Sequence, residues 1–136
     1  MLENNKATVK RYFKELWEEQ NFNIIEEVFT PDFTGHLINP SKGNEGIRKN
    51  VLVITQAFQN GELKIDDIFG EGDKVCIRWR YIGNHLGNFM NIPPTGKKII
   101  LKGITIERFD KDGKIAELWA EMDIYDLLKQ LKVLKV

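Results

Sequence analysis

The sequence predicts an α+β fold, a cone of helices packed on a curved, antiparallel-rich sheet with an internal pocket. Two patterns carry the class. In the first third of the chain, and again after Met122, apolar residues recur at spacings of three and four. Between Glu62 and Met122 they alternate at every second position. The two patterns occupy separate stretches, and helices segregated from an antiparallel sheet define α+β. Length sets the scale: a chain of 136 residues buries about two thirds of the surface its unfolded form exposes, enough for one core without metal or disulfide staples. With no internal repeat, low-complexity tract or linker, residues 1–136 read as a single domain.

Val9, Tyr12, Phe13, Leu16 and Trp17 share one face of a first helix. Asn4 or Asn5 can cap it, and Asn21 follows its end. A short second helix, Ile24–Phe29, has Asn23 as its cap, Glu26 at capping-box spacing and Pro31 to stop it. Phe33–Ile38 reads as a short strand. Gly43, Asn44 and Gly46 open a third helix with the stripe Ile47, Val51, Ile54 and Phe58, and Asn60-Gly61 is its expected exit. From Glu62 the period is two. Leu63, Ile65 and Asp67 alternate with Lys64, Asp66 and Ile68. After a turn at Gly70–Asp73, Val75, Ile77, Trp79 and Tyr81 alternate with Cys76, Arg78, Arg80 and Ile82. Ile99–Phe109 and Lys114–Met122 form a last hairpin around Asp110–Gly113. Ile124, Leu127, Leu128 and Leu131 make a short final helix.

Basic and acidic residues balance at 20 each, so the formal net charge is zero. That argues against attachment to nucleic acid or an acidic membrane by bulk charge. The single cysteine, Cys76, cannot form an internal disulfide, which fits a reducing cytoplasm. No apolar run reaches the roughly 18 residues of a membrane span, and Met1–Lys10 lacks a signal peptide's apolar core. The expected protein is cytoplasmic, with no nucleic-acid or membrane partner.

Both faces of the late strands carry large apolar groups. Ile104, Ile106 and Trp119 share one face of the last hairpin; Leu101, Leu118 and Met122 share the other. A sheet with one wet face shows polar residues at alternate positions. Here one face is expected to meet the helices and part of the other a second copy of the chain, giving a homodimer. Three Trp, three Tyr and eight Phe supply bulky walls for a cone-shaped cavity that suits a small apolar ligand. The same aromatics can equally fill a core.

Histidine suits acid–base work near neutral pH, and there are two, His36 and His85. Asp123 has a catalytic reading at the end of a strand and a structural one as the cap of the last helix, with Asp126 in its first turn. Glu117 and Glu121 share a strand face with Trp119; Glu117 can pair across the hairpin with Arg108, and Glu121 is open. Gly70-Glu71-Gly72 has no helix behind it to hold a phosphate. Gly96-Lys97 lacks the rest of a phosphate-binding loop. No Cys/His cluster has metal-ligand spacing, so neither metal nor cofactor is expected.

Taken in order, several segments resemble the SnoaL-like polyketide cyclases, or ester cyclases, of the nuclear transport factor 2-like superfamily. They are Phe13–Trp17, Pro31-Asp32-Phe33 before His36, Gly43–Gly46, Gly70–Val75, Arg78-Trp79, His85–Phe89, Ile92–Lys97, Gly103-Ile104, Arg108-Phe109, Asp112–Ile115, Trp119 and Asp123. The resemblance implies the cone fold. It also implies ring closure of polyketide esters by intramolecular aldol condensation without metal or cofactor. Such chemistry needs a base beside the carbonyl and a donor to the enolate oxygen. The family's acid/base, an aspartate immediately after the strand tryptophan, corresponds here to Ala120, which can neither take nor give a proton. Glu121, reoriented by a bulge, or Glu107, of Ala120 parity on the facing strand, are the carboxylates that can replace it.

Two functions therefore stand. The first is a cofactor-independent cyclase, isomerase or lyase on a small, mostly apolar carbonyl or ester compound. His36 and His85 would act on it with help from Glu121 or Asp123, beside Tyr12 and between walls of Trp17, Trp79 and Trp119. The second is a non-catalytic module that binds an apolar or polyketide-like ligand.

Overall fold

The computed structural model describes residues 1–37 and 39–134. Helix α1 (Leu2–Tyr12) continues into a π-helical segment, Phe13–Glu18. There follow α2 (Ile24–Val28), β1 (Phe29–His36), β2 (Ser41–Lys42) and α3 (Gly43–Ala57). The long strands β3 (Phe58–Glu71), β4 (Lys74–His85), β5 (Lys98–Phe109) and β6 (Ile115–Met122) lead to α4 (Ile124–Gln130). The six strands form one sheet in the order β2-β1-β6-β5-β4-β3, with β1 parallel to β6 and every other pair antiparallel. The α+β class follows directly: three helical elements from the first half pack against one face of this sheet. No helix among the described residues is long and apolar enough to cross a membrane.

The period-two pattern fixes the two faces. Val75, Ile77, Trp79 and Tyr81 of β4 point inward and are buried, as are Ile99, Leu101, Thr105, Glu107 and Phe109 of β5. They meet Val9, Phe13 and Leu16 from the first helical element and Ile47, Val51 and Ile54 from α3. A bulge in β6 sets its parity. Phe109 pairs with Ile115 but Arg108 pairs with Glu117, so Ala116 is the extra residue. Ile115 is buried, yet Glu117, Trp119 and Glu121 then fall on the outer face and Leu118, Ala120 and Met122 on the inner one.

Several element boundaries differ from the sequence reading, each for a local reason. Helix α1 starts at Leu2, so neither Asn4 nor Asn5 caps it, and Asn5 lies buried in its second turn. Asn23 precedes α2 in a helical conformation and makes no side-chain cap bond. The chain becomes extended at Phe29, so Pro31 ends no helix; it sits in β1 where the register with β6 slips between Phe29 and Thr34. A residue without an N–H fits such an irregular stretch. The last residue expected in this strand, Ile38, lies outside the described residues. Phe58 opens β3 rather than closing α3, and Asn60-Gly61 forms a bulge instead of a helix exit. The Gly70–Asp73 turn shortens to Gly72-Asp73, with Gly72 at φ +60°.

Candidate active site in the cone cavity

Between the inner face of the sheet and the helices lies a cavity of about 290 Å³. Trp79 and Tyr81 come from β4, Leu101 and Thr105 from β5, Leu118 and Met122 from β6. Leu16, Trp17, Ile47, Val51 and Ile54 close the helical side, and Leu37, Asn39, Asn50, Val53 and Met90 also border it. Gly103 makes room for the indole of Trp79, since a Cβ there would lie 2.6 Å from Trp79 Cζ2. The indole N–H then donates to Thr105 Oγ1 at 2.8 Å, which spends its polarity inside the wall.

One titratable pair is built into this wall. Tyr12, at the end of α1 and bordering the cavity, hydrogen-bonds through its hydroxyl to Glu107 Oε1 on β5. Edge-on contacts with Phe13 and Phe29, at 5.0 and 5.3 Å between ring centroids, hold the phenol in place. Glu107 has no solvent exposure, and its Oε2 has no partner among the described residues. Burial disfavours the carboxylate and pushes the group up to about 8, with the Tyr12 hydrogen bond opposing in part. The Tyr12 hydroxyl is raised well above its usual value, by burial first and then by Glu107. Burial thus favours the carboxylic acid form of Glu107, which can donate as well as accept.

The other residues singled out by sequence occupy different places. His85 is fully buried at the end of β4. Its Nδ1 accepts from the Thr95 backbone N–H at 3.2 Å and lies 3.0 Å from Thr95 Oγ1. Backbone bonds from His85 N–H to the Lys97 carbonyl and from Gly96 N–H to the His85 carbonyl complete a clamp on the following loop. His36 is exposed, stacks on Trp119 at 5.4 Å and lies 2.8 Å from Glu117 Oε2 through Nε2. Arg108 donates to the other oxygen of Glu117, the cross-hairpin pair expected from sequence; His36 and Arg108 together hold the Glu117 carboxyl below its usual range. With β6 and β5 between β1 and β4, the two histidine-bearing strands are about 14 Å apart across the sheet. Glu121 is exposed on the outer face opposite Ile104. Asp123 accepts from the Asp126 N–H at 3.0 Å and caps α4. Trp119 faces outward with His36, whereas Tyr12, Trp17 and Trp79 border the cavity. Ala120 is directly opposite Thr105 on the inner face; Glu107 is opposite Leu118, two pairs further along and on the same face.

The Tyr12–Glu107 pair was only half legible. Glu107 stands out as a lone acid on the inward parity of an apolar strand, but its partner comes from a helix 95 residues earlier.

A family model described as SnoaL-like polyketide cyclase matches residues 7–131, nearly the whole chain. The chain belongs to the SnoaL-like polyketide cyclase family. Solved structures agree at the level of fold. A SnoaL-like protein from Jannaschia Sp. CCS1 is 24% identical with a TM-score of 0.88, over 99% of this chain and 96% of that one. AclR from Streptomyces galilaeus is 25% identical with a TM-score of 0.86, over 100% and 89%. TsrD from Streptomyces laurentii is 27% identical with a TM-score of 0.84, over 94% and 97%. Among curated proteins none matches the chain. Within the SnoaL-like fold, this chain carries an alanine at the inward position after the β6 tryptophan and a buried Tyr–Glu pair on the neighbouring wall.

Proposed function

We propose that this SnoaL-like protein binds a small, mostly apolar carbonyl compound in the cone cavity and promotes its enolisation without a cofactor. Enolisation is the step common to cyclase, isomerase and lyase chemistry at a carbon next to a carbonyl. The observation that carries the reading is the fully buried Glu107, hydrogen-bonded to the Tyr12 hydroxyl that borders the mostly apolar cavity. With ligand bound, the Glu107 O–H donates to the phenolic oxygen of Tyr12, and the Tyr12 O–H turns from Glu107 to the ligand's carbonyl oxygen. Solvent water takes the α-proton, since no basic side chain among the described residues lines the cone. A donor fixed in a low-dielectric wall stabilises the enolate more than the ketone, which lowers the barrier. Ionising Glu107 withdraws this donor, because the Tyr12 O–H then bonds the carboxylate.

The test uses α-tetralone, an enolisable aryl ketone, in D2O. The expected result is protein-dependent deuterium exchange at its α-carbon, falling above about pH 8 in the wild type, about tenfold or more slower in Tyr12→Phe, and without the fall above pH 8 in Glu107→Gln, whose amide N–H can still donate to Tyr12. Exchange at the solvent rate, with ketone bound, would instead support a non-catalytic ligand-binding module. Ala120 favours that second reading, since it leaves no proton acceptor at the family's acid/base position.

Two further parts of the proposal concern surroundings. The outer face of the sheet exposes Phe69 (59%), Ile104 (48%) and Ile106 (39%), which supports its burial against a second copy of the chain. Cys76, half-buried on that face, is a free thiol pushed up by burial and by Asp67. That suits a structural cysteine in a reducing cytoplasm.

A further inference from the structure

A second cleft, of about 420 Å³, opens beside the cone and differs from it in chemistry. Trp17 and Tyr81 form the wall common to both cavities. The rest of the cleft is polar: the amides of Gln20, Gln56, Gln59 and Asn60, with Thr55 and Glu18.

Three backbone irregularities meet around it. The π-helical segment Phe13–Glu18 supplies Trp17 and Glu18, and just beyond it Gln20 adopts φ +56°. On the opposite side, the β3 register against β4 slips between Gln59 and Glu62, and Asn60 within that bulge has φ +57°. Gly61 completes the bulge. A Cβ there would lie 2.0 Å from the Tyr81 hydroxyl, which instead tucks beneath and donates to the Phe58 carbonyl at 2.6 Å. π turns, bulges and left-handed non-glycine residues cost stability and concentrate at sites that use them.

Each amide offers two N–H donors and one acceptor. Among the described residues, only Gln59 of the four carries a side-chain hydrogen bond, from Nε2 to the Gln56 carbonyl oxygen at 3.0 Å. Glu18 is committed to the Leu63 N–H at 2.8 Å, which holds it in the wall as a fixed negative charge. No lysine or arginine lines the cleft. Its chemistry therefore repels anions and matches a neutral ligand dense in both donors and acceptors, presented beside an aromatic ring.

We propose that this cleft is a binding site for a neutral, hydroxyl-rich group, a sugar or sugar-like polyol. It is independent of the reading of the cone: α-tetralone tests that one, and its result neither supports nor removes this one.

The test is an NMR titration of the intact protein with methyl β-D-glucopyranoside. The expected result is saturable shifts at the Trp17 indole N–H and the side-chain amides of Gln56, Gln59 and Asn60. Glucose 6-phosphate should bind more weakly because of Glu18. The double variant Gln56→Ala/Gln59→Ala, at two exposed positions, should bind the neutral sugar about tenfold more weakly through lost hydrogen bonds. Absence of saturable shifts at high millimolar sugar would overturn the proposal. So would shifts unchanged in the double variant, or a sugar phosphate that binds as well as the neutral sugar.

Discussion

Among the described residues, Glu107 is the only acidic side chain buried to this degree. Burial raises it from the ordinary 4.5 to about 8, so the folded protein holds a proton that the unfolded chain has released. The sign of the effect on stability follows. Below about pH 4.5 both states are protonated and nothing is lost. As pH rises from there to about 8 the unfolded state is favoured by ionisation, and above 8 the loss levels off. The wild-type protein should lose on the order of a few kcal/mol across this window. Glu107→Gln, which cannot ionise, should flatten this component of the pH dependence in urea unfolding. An identical slope in the variant would place the titration elsewhere. Tyr12→Phe removes the partner that favours the carboxylate, so Glu107 should titrate higher still, at a stability cost of about 1–3 kcal/mol. Carboxyl carbon NMR reads the first effect and urea unfolding the second.

At the scale of elements, the strands and the cap of α4 follow from simple rules. Gly103 is held to hydrogen by its neighbours: a Cβ would meet Trp79 at 2.6 Å and the Glu121 carbonyl oxygen at 2.7 Å. Gly103→Ala should therefore destabilise by about 1–3 kcal/mol and disturb the cavity wall, measured as weaker α-tetralone binding. Asp123→Ala should cost about 1 kcal/mol through the lost cap and leave that binding unchanged, which separates capping from catalysis. The inner and outer faces of β4 and β5 were legible because period two reports side-chain direction whatever the partner strand is. The β6 faces were legible too, although the Ala116 bulge was not, since the expected grouping of Leu118 with Met122 needs only the residues after it. The caps of α1 and α2 misread because asparagine is a permissive signal and the backbone sets which residue is first. The Asn60-Gly61 pair misread because the same two residues serve a helix exit and a strand bulge equally well. The histidines drew attention through their chemistry and through the family-like segments they stand in. His85 is used to clamp Thr95, and His36 to stack on Trp119 and reach Glu117.

For the whole molecule, zero net charge and a mostly apolar cone agree with the proposed function, in which a ligand is recruited by shape and burial and oriented by the Tyr12–Glu107 pair. The outer face is where a second molecule is expected. Phe69, Ile104 and Ile106 present apolar area flanked by the Arg78–Asp67 and Arg80–Asp66 pairs. Ile104→Glu should shift sedimentation toward monomer without altering the cavity. A wild-type protein that sediments as monomer throughout would remove the dimer. The most direct measurement of the central claim is a carboxyl carbon NMR titration of Glu107, free and with α-tetralone. A titration near 8 that moves upward with ketone bound is expected, because the ligand favours the neutral donor. Titration in the ordinary carboxylate range, or one indifferent to the ketone, would contradict it.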